Sequence, residues 1–149
     1  MSYAENTSVD TYKSIGEIHA TVGRYGASQF MHAERGDAAA VSFVVDGRTV
    51  RIIVPFPDPE DPRFHETPTG RARKKTAAQD AYEQERRRRY RALALAVKAK
   101  LEAVESGIAT FEQEFLAYMV MPGGQTFGDW AIPQLDSGNM PKSLPFFGE

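Results

Sequence analysis

Tyr12, Ile15, Ile18, Val22 and Tyr25 recur every three or four residues in "TSVDTYKSIGEIHATVGRYGA", the spacing that gathers side chains on one face of a helix. The pattern predicts a first helix with Ser8 or Asp10 as N-cap and Gly26 as its stop. Gly16 and Gly23 each weaken that helix by about 1 kcal/mol relative to alanine, so packing has to hold it.

The period then falls to two in "SQFMHAERGDAAAVSFVVDGRTVRIIVPFP", which is the signature of strands. Asp46-Gly47 between two apolar runs fits a two-residue hairpin turn, whose left-handed backbone suits Asp and Gly. Pairing Val45 with Arg48 puts Val41, Phe43, Val45, Val50, Ile52 and Val54 on one face and Ser42, Val44, Thr49 and Arg51 on the other. A preceding strand around Gln29 to Ala33 returns through Arg35-Gly36-Asp37, read as turn chemistry rather than an adhesion motif. Three antiparallel strands result.

From Pro55 to Lys75 the chain carries five of its nine prolines, acidic residues first and basic residues after. That density opposes regular ladders, and a loop of this length in a compact domain is typically functional or disordered. Thr76 and Gln79 fit a capping box, and Asp80, Glu83 and Glu85 follow near the positive end of the helix dipole. A long helix is predicted from there to Gly107. Its apolar positions are Tyr82, Tyr90, Leu93, Val97, Leu101, Val104 and Ile108, with Arg86 filling the gap in the stripe. Thr110 and Gln113 cap a shorter helix through "FEQEFLAYMV". Thr126 and Asp129 cap a last turn or two around Trp130, and residues 136–149 read as an irregular tail.

These elements predict one α+β domain over 1–149: an N-terminal helix, a three-stranded antiparallel sheet, a long helix packed on one face and two short C-terminal helices. Phe56, Phe64, Phe146 and Phe147 lie in irregular segments, where they either fold back onto the core or serve as anchors for a partner. The sheet edge and the long helix leave a homodimer open.

Composition narrows the function. Zero cysteines exclude disulfides, thiol nucleophiles and cysteine zinc sites. No apolar run approaches the roughly 18 residues needed to span a bilayer, so no membrane association is expected. The first ten residues lack the basic start and apolar stretch of an export signal, which points to the cytosol.

The formal net charge of −2 hides a strong asymmetry. Residues 63–100 hold twelve Lys or Arg against four Asp or Glu, while the rest of the chain holds six against sixteen. Arg71, Arg73, Lys74 and Lys75 end the proline-rich loop. On the long helix, at about 100° per residue, Arg87, Arg91 and Lys98 share one stripe while Arg88, Arg89 and Lys100 fan elsewhere. Glu83 with Arg87, Lys98 with Glu102, and Glu85 with Arg88 or Arg89 sit at pairing distance along the helix, worth a few tenths of a kcal/mol each. That leaves more cations than acids. Arg71, Arg73, Lys74, Lys75, Arg87, Arg91 and Lys98 are therefore the candidate contacts to a DNA or RNA backbone. No zinc-finger spacing, RNP-type aromatic motif or leucine zipper accompanies them, so the expected recognition is of phosphates rather than bases.

Candidates for catalysis are weak. His19, His32 and His65 fall on a helix, a strand and a loop without a second ligand at metal-site spacing. Asp58, Glu60 and Asp61 lack the pattern of a calcium loop. "PGGQTFGDW" has the glycines of a phosphate loop but no Lys-Ser/Thr partner. The expectation is a non-enzyme with no metal and no cofactor.

The segments "KSIGEIHATVGRYGA", "VVDGRTVRIIVP", "LEAVESGIATFEQEFL" and "MPGGQTFGDW" resemble a group of small uncharacterised proteins encoded by bacteriophages and prophages. The resemblance covers most of the chain and implies a phage protein made in the host cytoplasm; it implies no site residues. Three functions fit. The first is a non-catalytic accessory that binds nucleic acid through the basic loop and helix. The second is a protein that binds and inhibits a host factor, of anti-defence type. The third is a nucleotide-sequestering protein.

Overall fold

The computed structural model describes residues 4–138; the tail from residue 139 onward, with Phe146 and Phe147, lies outside the described residues. Helix α1 (Thr11–Arg24) buries Ser14, Ile15, Ile18 and Val22. Tyr12, assigned above to the buried face, is 74% exposed, because it sits about 100° round the helix from the centre of that set. Asp10 occupies the N-cap position without a side-chain cap bond, and Gly26, at φ +105°, turns the chain out of the helix.

Strands β1 (Gln29–Arg35), β2 (Ala38–Val45) and β3 (Arg48–Pro55) form an antiparallel sheet in the order β1-β2-β3. Val45 partners Arg48 across Asp46 and Gly47, both at positive φ, so the hairpin has the register its turn residues dictate. Gly36 and Asp37 make the other turn, closed by an Arg35–Asp37 ion pair. Val41, Phe43, Val45, Val50, Ile52 and Val54 are all buried on one face, joined by Ala39. Met31 and Ile53, on the other face, stay exposed.

The proline-rich segment is more ordered than its composition suggests. Asp61 caps a short helix, α2 (Pro62–His65), with Pro62 opening it, where a missing N–H costs nothing. Glu66 and Ala72 form an isolated bridge, and the Arg73 N–H bonds the His65 carbonyl at 2.7 Å. Phe56 and Phe64 fold back onto the core; Phe64 meets the Tyr82 ring edge-on at 5.5 Å.

This anchored turn delivers the chain into helix α3 (Lys75–Glu105) earlier than the capping pattern implied. The first helical bond runs from the Ala78 N–H to the Lys74 carbonyl, so Lys74 is the N-cap and Thr76 caps nothing. Tyr90, Leu93, Ala94, Val97 and Leu101 are buried against the sheet and α1, whereas Ile108 lies past Gly107 and is 81% exposed. Gly107, at φ +82°, ends the helix as expected.

Helix α4 (Phe111–Phe115) has the expected Thr110/Gln113 capping box. It tightens into a 3-10 turn over Leu116–Tyr118 and stops short of Val120, because Met119 bridges to Val50 and the Val120 N–H bonds the Thr49 carbonyl at 2.8 Å. Helix α5 (Phe127–Ser137), capped by Thr126, is longer than the turn or two expected and takes in the first residues assigned to the tail. Gly128 is obligatory there: a Cβ would lie 2.8 Å from the Ala117 carbonyl oxygen.

Candidate nucleic-acid interface

The arginine run of α3 does not face one way. Arg86, in the gap of the apolar stripe, has a side chain only 20% exposed and lies over the Phe56 ring at 4.8 Å. It pairs with Glu83 at 3.2 Å and with Glu34 of β1. Glu34 also accepts a 2.8 Å hydrogen bond from the Tyr90 hydroxyl, which lies 2.9 Å from His32 Nε2. The single hydroxyl hydrogen is committed to the carboxylate, so His32 Nε2 must donate. Burial works to raise the Glu34 pKa, but the Tyr90 hydrogen bond and the Arg86 charge outweigh it and hold the carboxyl below its ordinary range. Burial, with the Glu34 charge, pushes the Tyr90 phenol up.

Arg88 and Arg89 converge on Glu85, at 2.5 and 2.9 Å. The Arg88 hydrogen bond, followed by that of Arg89, overcomes burial and lowers the Glu85 pKa to about 2. Arg89 also donates to the Pro55 carbonyl. Arg91 pairs with Glu17 of α1, and Lys100 with Glu114 of α4 at 3.3 Å. Of the pairings read along the helix, only those of Glu85 form. Glu83 takes Arg86 instead, Arg87 turns to the neutral Gln84 amide oxygen at 2.7 Å, and no Lys98–Glu102 bridge is present among the described residues.

Four arginines of the run are thus matched to carboxylates, two of them to acids from other elements. Among the described residues, no carboxylate lies within ion-pair distance of Arg71, Arg73, Lys74, Lys75, Arg87 or Lys98. The seven residues predicted from sequence as contacts fall into two groups on different sides of α3. Arg71, Arg73, Lys74 and Lys75 sit where the bridge at Glu66 and Ala72 meets the start of α3. Arg87, Arg91 and Lys98 follow the seam between α3 and α1. Lys75 is about 18 Å along the helix from Arg87 and about 35 Å from Lys98, and points at least about 120° away from their stripe.

The first group has an unusual electrostatic setting. α3 begins with Lys74 as N-cap and Lys75 in the first turn, with no side-chain cap bond and no acidic residue in that turn. Positive side chains stand where the exposed N–H groups already concentrate positive potential, a placement that disfavours the helix by roughly 0.3–1 kcal/mol per charge. Arg71 is exposed on the turn closed by Thr67, whose N–H bonds the Arg71 carbonyl at 2.7 Å.

Two cations escaped the sequence reading. Arg24, at the end of α1, faces Lys98 across the seam, and Arg63 shares a surface depression with Arg73 and Arg88. Nothing in the sequence shows that α1 and α3 lie side by side, so no local signal could have grouped them. The histidines have other occupations: His19 stacks on Phe30 at 4.5 Å, His32 serves the Tyr90 network and His65 meets the Pro59 carbonyl at 3.0 Å. Among the described residues no helix is long and apolar enough to cross a membrane. No family model, curated protein or solved structure matches this chain.

Proposed function

We propose that this chain is a non-catalytic bacteriophage accessory protein that binds the phosphate backbone of nucleic acid. The contact surface is made by Arg71, Arg73, Lys74 and Lys75, while Arg87, Arg91 and Lys98 of the α1–α3 seam lie on a different side of α3 and stand outside it. One observation carries this reading: an uncapped helix N-terminus whose N-cap and first residue are both lysines. Such an arrangement lowers stability in the isolated protein and becomes favourable when an anion arrives.

The test separates stability from binding. Asp accepts bonds from the first helical N–H groups, so Lys74→Asp is expected to stabilise the fold by about 0.5–2 kcal/mol in urea unfolding. The same change, combined with Lys75→Glu, is expected to weaken DNA or RNA binding at least about tenfold in fluorescence anisotropy at low salt. With about four phosphates engaged, wild-type duplex affinity should fall roughly a hundredfold between 50 and 200 mM salt. Absence of binding to single- and double-stranded DNA and RNA, or equal binding by the variant, would sink the reading.

A second reading, a protein that binds and inhibits a host factor, draws on a different surface. Trp130, Ile132 and Leu135 of α5 are exposed, at 45%, 57% and 59%, as is the nearby Leu116. Interface anchors are commonly aromatic and aliphatic groups of this kind. Capture from host lysate distinguishes the two: a stoichiometric protein that survives nuclease treatment and is lost with Trp130→Ala supports the inhibitor, and capture abolished by nuclease supports the nucleic-acid reading.

A further inference from the structure

Helices α1 and α3 run parallel. The Gln84 amide donates to the Thr7 carbonyl at 2.7 Å, Glu17 pairs with Arg91, and further along Thr21 and Arg24 lie opposite Leu95 and Lys98. Between them the seam opens into a cleft of about 250 Å³. Ala20, Ala94 and Leu95 supply its apolar wall, and Arg24, Arg91 and Lys98 surround it with Glu17 and Thr21. The Thr21 hydroxyl donates to the Glu17 carbonyl at 2.7 Å, and the Arg24 guanidinium approaches that hydroxyl at only 3.5 Å. Among the described residues, neither Arg24 nor Lys98 has a carboxylate within ion-pair distance.

The residues around the cleft carry three positive charges against one negative. The excess matches the roughly −1.5 to −2 charge of a phosphate monoester at neutral pH and exceeds the single charge of a phosphodiester. Two planar guanidinium forks and an ammonium approach from two helices, which suits an acceptor with several oxygens arranged in three dimensions. The volume, below the roughly 300–1,000 Å³ of pockets that enclose drug-sized ligands, suits a single phosphate group.

We propose that the α1–α3 cleft is a binding site for a single phosphate monoester group, held by Arg24 and Lys98, with Arg91 recruited from Glu17 as the anion enters. Glu17 is then a built-in competitor for Arg91. The ligand is either free phosphate or the terminal phosphate of a nucleic-acid strand. The second source rests on the nucleic-acid reading and the first does not.

Titration of the full chain with inorganic phosphate at low ionic strength, followed by ¹H–¹⁵N correlation spectra, tests the site. The expected result is saturable shifts centred on residues 17–24 and 91–98. Arg24→Ala with Lys98→Ala should weaken phosphate at least about tenfold, and Glu17→Gln, which removes the competing charge, should tighten it about threefold or more. Both Arg24 and Lys98 are exposed, so their removal leaves the core intact. A 5′-phosphorylated oligonucleotide that displaces phosphate where its 5′-hydroxyl twin fails assigns the ligand to strand ends. Phosphate binding with neither oligonucleotide competing assigns it to free phosphate, even if the nucleic-acid reading fails. The proposal is overturned by shifts that do not saturate, by an Arg24/Lys98 variant that binds like the wild type, by a Glu17→Gln variant that binds no tighter, or by equal competition from the 5′-hydroxyl oligonucleotide.

Discussion

Phe115→Ala is expected to destabilise the fold by about 3–5 kcal/mol, the usual range for truncating a fully buried phenylalanine. Phe115 is inaccessible to solvent and meets the Phe43 ring edge-on at 5.8 Å. It also lies 4.9 Å from the Phe111 ring, with Lys100 Nζ 5.7 Å from its centroid. That ring joins α4 to the buried face of the sheet, alongside the Met119–Val50 bridge, so its loss leaves a cavity that α4, only five residues long, is poorly placed to fill. Since domains of this kind are stable by only about 5–15 kcal/mol, the variant should show a much lower urea midpoint at an unchanged slope. Phe115→Leu, which keeps most of the volume, should lose less than half as much. A loss below about 1 kcal/mol for the alanine variant would mean that α4 does not hold the sheet as its contacts indicate.

The hairpins were legible because their information is local. Asp46-Gly47 and Gly36-Asp37 set the turns, and the alternation of Val41, Phe43, Val45, Val50, Ile52 and Val54 then admits one register with a buried face. Helix existence was legible for the same reason, except for the short α2, whose proline-rich segment reads as loop. Helix starts were less so: Thr76 has the chemistry of a cap, yet the bridge at Glu66 and Ala72 fixes the chain so that α3 begins from Lys74. The candidate surface was legible in composition and not in arrangement. Pairing rules along one helix found the Glu85 bridges, because both partners ride on the same element. They could not find Glu34 for Arg86 or Glu17 for Arg91, which are brought up by β1 and α1. Nor could they find Arg24 opposite Lys98. Long-range partners of charged residues depend on how elements pack, and no period in the sequence encodes that.

Glu85→Gln is expected to cost about 3 kcal/mol at pH 7 and almost nothing at pH 2. The Glu85 pKa falls from 4.5 to about 2 in the folded chain, first through the Arg88 hydrogen bond and then through that of Arg89, against the opposing effect of burial. A depressed carboxylate pKa contributes stability that is fully present above the unfolded value, near 4.5, and is lost as pH falls through the folded value, near 2. The size follows from about 1.4 kcal/mol for each tenfold change in proton affinity, applied to a side chain only 15% exposed. Urea unfolding of wild type and variant between pH 7 and pH 2 should therefore show two curves that converge on the acid side. Parallel curves would mean that the carboxylate contributes no more folded than unfolded. The same substitution bears on the arginine run. Glu85 occupies two guanidiniums, and Arg89 is further held by the Pro55 carbonyl. With the carboxylate gone, Arg88 keeps only the weaker influence of Glu5, beside Arg73 and Arg63. If the basic surface contacts phosphates, Glu85→Gln should bind nucleic acid more tightly while folding less stably, the reverse of the change expected from Lys74→Asp.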